Sequence, residues 1–137
     1  MGLDMYLLKK RTGSIDPDYT EMGDWRKANH IHNWFVENVQ DGVDDQSMYA
    51  ISKEKAEELR DLCVEVLKEF NDDGALTGDG DRVAGLLPCR GGFFFGSTDY
   101  DAYYYYGVKQ TLDYLNDALS GKTIDWDRET LYYSCWW

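Results

Sequence analysis

The stretch Asp24-Trp25-Arg26-Lys27-Ala28-Asn29-His30-Ile31-His32-Asn33-Trp34-Phe35-Val36-Glu37-Asn38-Val39-Gln40 decides how the rest of the chain is read. Its spacing predicts a helix, with Asp24 as N-cap and Gly42 just past the end. Stepped at about 100° per residue, Trp25, Ala28, Ile31, His32, Phe35, Val36 and Val39 fall within an arc of roughly 140°. That is a core-facing stripe with His32 in its middle. The opposite face carries Arg26, Lys27, Asn29, His30, Asn33, Trp34, Glu37 and Gln40. Trp34 is therefore expected to stand among polar groups, within a turn of His30, Arg26 and Lys27. An indole beside cations is either a second packing surface or a platform for a ligand. His32 reads as a satisfied core histidine or, alternatively, as a catalytic general base. His30 and His32 point about 200° apart, so this helix cannot bring them to one metal ion.

Working outward, the chain of 137 residues is one domain's worth, spanning 1–137. Hydrophobic residues make up 43% and aromatic residues 15%, with 11 tyrosines and five tryptophans, which is the composition of a folded protein with a real core. The formal charge of −12 disfavours direct binding to nucleic acid or to an anionic membrane surface, both of which need excess Lys and Arg. It suits basic partners or cations instead, including imitation of nucleic-acid charge. Cys63, Cys89 and Cys135 are odd in number and lack a C-x-x-C pair, so free thiols in a reducing cytoplasm are expected. No leader peptide and no membrane-spanning run is expected either.

Alternation of Leu3, Met5 and Leu7 with polar neighbours predicts a first strand over Leu3 to Lys10. Thr12 to Gly23 reads as a loop. The acidic turn Asp41-Gly42-Val43-Asp44-Asp45 lacks the spacing of a calcium loop, and no metal site is expected there. Met48 to Ile51 reads as a short strand. Ser52 then caps a second helix with the stripe Ala56, Leu59, Leu62, Cys63, Val66, Leu67 and Phe70, which makes Cys63 a core residue. Asn71 to Asp81 reads as an acidic loop and Arg82 to Leu87 as a strand or extended arm. In Cys89-Arg90-Gly91-Gly92-Phe93-Phe94-Phe95-Gly96-Ser97-Thr98, a buried phenylalanine strand should turn into a third helix capped by Ser97 or Thr98. That helix, Asp99 to Leu119, has an apolar arc holding Tyr104, Tyr105, Val108, Leu112, Leu115 and Leu119. Tyr100, Tyr103 and Tyr114 lie beside the arc, and Gly107 allows a close approach. The last strand, Leu131 to Trp137, should pair beside the first. The expected architecture is a single α+β domain in the order β-α-β-α-β-α-β, a small mostly antiparallel sheet packed against about three helices.

No nucleophile elbow, H-E-x-x-H, phosphate loop or dinucleotide fingerprint is present, so no cofactor is implied and catalysis has no motif behind it. What the chain does offer is aromatic density beside a few cationic and polar groups. Trp34, Phe94, Tyr100, Tyr103 and Tyr104 can stack on a ring; Arg26, Lys27, His30, Asn33 and Arg90 can meet a phosphate or carboxylate. Together they suit a small planar anion such as a nucleotide, provided that the first and third helices are neighbours.

Several blocks resemble one group of proteins: the start Met1-Gly2-Leu3-Asp4-Met5-Tyr6-Leu7, the run Trp25 to Val36, the segment Gly92 to Asp101, and Tyr132-Tyr133-Ser134. The group is a widespread family of small bacteriophage and prophage proteins. Asp44-Asp45-Gln46 departs from the Asp-Asp-Cys of that pattern, so no thiol role carries over to this turn. The resemblance implies a setting rather than an activity: an accessory viral protein in the cytoplasm of a bacterial host, of the kind that blocks host defences. The expected function is accordingly non-catalytic binding that counters a bacterial defence system. It would act either by covering a host protein or by sequestering a small nucleotide-like signal. The alternatives are a small enzyme using His32 as general base and a phage assembly factor. Self-association into a homo-oligomer is left open by the sequence.

Overall fold

Residues 2–92 and 95–137 are described by the computed structural model. The chain runs β1 (Asp4–Arg11), β2 (Thr20–Arg26), α1 (Asn29–Asn38), β3 (Tyr49–Ile51), α2 (Lys53–Leu67), α3 (Gly80–Leu86), α4 (Ala102–Leu119) and β4 (Glu129–Trp136). The strands form one antiparallel sheet in the order β2-β1-β4-β3. The fold is α+β, with four strands and four helices among the described residues.

The sheet is built by period-two patterning. On β1, Met5 and Leu7 are fully buried, and their partners across β4, Cys135 and Tyr133, are buried with them. The first and last strands lie side by side, as their sequences suggest. Phe35 of α1 stacks on Tyr133 with ring centroids 3.9 Å apart, which fastens the helix to the centre of the sheet. Along α2, Ala56, Leu59, Cys63 and Val66 are buried, and the Ser52 hydroxyl accepts a hydrogen bond from the Lys55 N–H at 3.1 Å. Helices α2 and α4 pack along each other and complete the core.

The elements run β-β-α-β-α-α-α-β rather than in the alternating order β-α-β-α-β-α-β, and five local expectations are corrected with it. The segment 24–26 is the end of β2 rather than the start of a helix: Met5 pairs with Trp25 and Tyr6 with Asp24. Lys27 continues this pairing, its N–H donating to the Leu3 carbonyl at 2.7 Å, and then breaks direction with φ +56°. The helix therefore begins at Asn29, with Ala28 in the cap position and no side-chain cap. The loop from Thr12 is correspondingly shorter, because β2 already starts at Thr20. Arg82 to Leu87 is mostly helical: the Asp79 carboxylate caps α3 by accepting from the N–H groups of Asp81 and Arg82, and Arg82 pairs with Glu65 at 2.8 Å. Neither Ser97 nor Thr98 caps α4. Asp101 does, accepting from the Tyr104 N–H at 3.2 Å. Of the expected phenylalanine strand, Phe95 is buried in irregular chain, and Phe93 and Phe94 lie outside the described residues.

Candidate functional site

The strand-to-helix corner at 25–30 faces α4 and its lead-in 96–101 across a cavity of about 490 Å³. Its shape follows from the corner. The turn at Lys27 separates the end of β2 from α1, and α4 crosses the gap at Gly107. A Cβ on Gly107 would lie 2.8 Å from His30 Cε1 and 2.9 Å from Nε2, so only glycine lets α4 come this close. The His30 ring is thereby pressed flat on Tyr104, centroids 4.1 Å apart and planes 26° apart.

The walls are held by hydrogen bonds that no ligand supplies. Tyr104 O–H donates to the Leu87 carbonyl at 2.6 Å. Trp25 Nε1–H donates to Thr111 Oγ1 at 2.8 Å, and the Thr111 hydroxyl donates to the Gly107 carbonyl at 2.7 Å. Burial pushes the His30 pKa from 6.5 down to about 3, so the imidazole is neutral. Its Nε2 is buried without a hydrogen-bond partner among the described residues. Above this floor the lining opens to solvent through Tyr103 and Tyr106, which are 85% and 56% exposed. The corner contributes Arg26 and Lys27 to the lining, and the lead-in to α4 contributes Asp99 and Asp101.

A second polar cluster lies around His32, which is fully buried. Its Nε2 is 2.9 Å from Asp44 Oδ1 and its Nδ1 is 2.6 Å from the Tyr133 hydroxyl. A carboxylate only accepts, so Nε2–H donates to Asp44, and the neutral ring then accepts the Tyr133 O–H at Nδ1. Burial lowers the His32 pKa, with Asp44 acting against it. Arg90 Nε–H donates to Asp44 Oδ2 at 3.0 Å, and its Nη1 donates to Asn33 Oδ1 at 3.1 Å. Asn29 ties this cluster to the cavity wall: its amide donates to the carbonyls of Phe95 and Ser97, and its Oδ1 accepts the Arg90 N–H.

Five residues singled out in the sequence meet at the cavity: Arg26, Lys27, His30, Tyr103 and Tyr104. Asn33 and Arg90 belong to the His32 cluster instead. Tyr100 stands behind the wall, its ring centroid 4.9 Å from that of Tyr104 in an edge-on contact and its hydroxyl accepting the Cys89 N–H. Trp34 is not a platform: it is 5% exposed and packs edge-on against Phe35 at 5.2 Å. Phe94 lies outside the described residues. His32 has both ring nitrogens engaged and no exposed surface, the geometry of a structural histidine. The sequence reading missed Asp99, Asp101, Tyr106 and Gln110 as site residues. Tyr103, Tyr106 and Gln110 follow one helical face at steps of three and four, so that spacing was the available signal.

The thiols are not nucleophiles in this setting. Burial pushes Cys63 and Cys135 up to about 12 and Cys89, on the cavity wall, up to about 11. Among the described residues no group of three or more His, Cys, Asp or Glu side chains is arranged to hold a metal ion. No helix among them is long and apolar enough to cross a membrane. The chain matches no protein-family model, no curated protein and no solved structure.

Proposed function

We propose that the protein is a non-catalytic binding protein that holds a small nucleotide-like ligand in the cavity between the 25–30 corner and α4. The observation that carries this reading is the cavity of about 490 Å³ itself, lined by Tyr103, Tyr104 and Tyr106 together with Arg26 and Lys27. That volume lies in the range of small-ligand pockets, roughly 300–1,000 Å³. Tyrosine rings on the rim offer a planar ligand a stacking surface, and Lys27 and Arg26 offer a phosphate two cations.

In the phage setting that the sequence resemblance implies, such a protein would act by sequestration. It would remove a small signal from a host defence system without altering it. The cavity favours this version over the covering of a host protein, because its volume matches a small ligand. Native mass spectrometry of the full-length protein, taken gently from infected host cells, tests the reading. The expected result is a co-purifying nucleotide-sized mass that disappears in Lys27→Ala. A protein that stays empty there, and instead carries a host polypeptide, would refute sequestration and favour the covering version.

A further inference from the structure

We propose that Tyr114 of α4 guards the free edge of the sheet: its hydroxyl stands where a neighbouring strand would bond, and it keeps β2 from pairing with the β2 of a second copy of the chain. The strand order β2-β1-β4-β3 leaves β2 on the outside. Its pairing with β1 slips by one residue between Leu7 and Leu8, passing over Met22, so the regular part of the strand is Gly23 to Arg26. The Lys27 N–H donates to the Leu3 carbonyl, and bonded and non-bonded pairs alternate from there along an antiparallel ladder. Trp25 and Gly23 therefore exchange bonds with Met5 and Leu7, and the backbone groups of Asp24 and Arg26 point away from β1. An outward row of this kind is a template for another strand.

At Asp24 that row is already taken. The Asp24 N–H donates to the Tyr114 hydroxyl at 3.3 Å, and the hydroxyl donates to the Asp24 carbonyl at 3.0 Å. Gln110 Nε2–H donates to the same carbonyl at 3.1 Å and to the Tyr114 hydroxyl at 2.9 Å. The one proton and both lone pairs of the hydroxyl are thus used. The ring reaches the edge because residue 23 has no side chain: a Cβ on Gly23 would come within 2.7 Å of Tyr114. The ring also packs edge-on against Trp25, with centroids 5.3 Å apart. Without this side chain the edge is self-complementary. In an antiparallel pair of β2 strands centred on Trp25, each Asp24 exchanges backbone bonds with Arg26 of the other copy. Both side chains are exposed, so the same register sets two pairs of opposite charge across the junction.

Amide exchange of the full-length protein, read residue by residue by NMR over a range of protein concentrations, tests the guard. In wild type the Asp24 amide should be protected at every concentration. Tyr114→Phe keeps the ring and loses the hydroxyl, and its Asp24 amide should exchange about tenfold faster. Tyr114→Ala clears the ring as well. Its Asp24 amide should be fast when dilute and slow again when concentrated, while sedimentation shows the mass doubling relative to wild type. Adding Arg26→Asp sets carboxylates face to face in that pair and should abolish the doubling. Exchange at the wild-type rate in both variants would overturn the role of the hydroxyl. If Tyr114→Ala keeps the wild-type mass, or associates while the Asp24 amide stays fast, the latent pairing of β2 is wrong. A doubling that Arg26→Asp leaves intact would refute the register.

Discussion

His30 is a buried base that the fold keeps unprotonated, and that couples stability to acidity. In the unfolded chain the ring takes up a proton near pH 6.5; in the folded chain it does so only near 3. Below pH 6.5 the unfolded state therefore binds more protons, so stability falls as the pH falls, until the folded-state pKa is reached. The slope contributed by one such group is about 1.4 kcal/mol per pH unit. Urea denaturation of wild type and His30→Leu at several values between pH 4 and 7 should show the variant losing distinctly less stability on acidification. Parallel curves would mean that the ring is not held neutral. The same ring shows what one helix wheel hides. His30 and Trp34 fall on the polar side of α1, which the sequence leaves open between a second packing surface and a ligand platform. In the fold α4 covers His30 through Gly107, and both side chains are at least nine-tenths buried. A single periodic stripe reports the first packing surface of a helix and is silent about the second.

At the scale of the element, ends are harder to read than middles, and α4 shows why. Ser97, Thr98, Asp99 and Asp101 are all competent N-caps by chemistry. Ser97 instead accepts the Asp99 N–H in a local turn, and Asp101 closes the helix on the Tyr104 N–H. The Ser97 carbonyl is meanwhile held by the Asn29 amide, a contact 68 residues away in the chain that no local pattern contains. Asp101→Ala should lower stability by about 1 kcal/mol, with a matching fall in thermal midpoint, and Thr98→Ala should leave it nearly unchanged. Equal effects from the two would place the cap wrongly. By contrast α2 is legible from its cap to Leu67, although Phe70, read as part of its stripe, lies past its end in a bridge to Leu76. Ser52, the acidic first turn and an unbroken apolar stripe all agree, and nothing distant competes. The corner at Lys27 was illegible for the opposite reason. Asp24 followed by a periodic run is a sound helix start locally, but pairing with β1 draws Asp24 to Arg26 into the sheet.

For the molecule as a whole, the His32 cluster joins parts of the chain that no secondary structure links. Asp44 lies in the acidic turn after α1, Arg90 before the Gly92 segment, Tyr133 in the central strand β4, and Trp137 at the end of the chain with its Nε1–H 3.2 Å from Asp44. Asp44 is the hub, since His32, Arg90 and Trp137 all donate to it. Asp44→Ala strands the His32 Nε2–H in the core and frees Arg90, and should cost about 2 kcal/mol. Asp44→Asn can still accept from His32 but sets an N–H against the Arg90 guanidinium, so its effect should resemble that of Arg90→Ala. If the cluster acts as one unit, Arg90→Ala and Asp44→Ala combined should cost clearly less than their sum in a double-mutant cycle, because the second change removes a contact already lost. Strict additivity would mean that the two groups stabilise the fold separately. Through the Asn29 amide the cluster also fixes Ser97 on the cavity wall. Loosening Asp44 should therefore weaken the binding of the proposed ligand, read by titration of Asp44→Ala against wild type, although no residue of the turn at 41–45 lines the cavity.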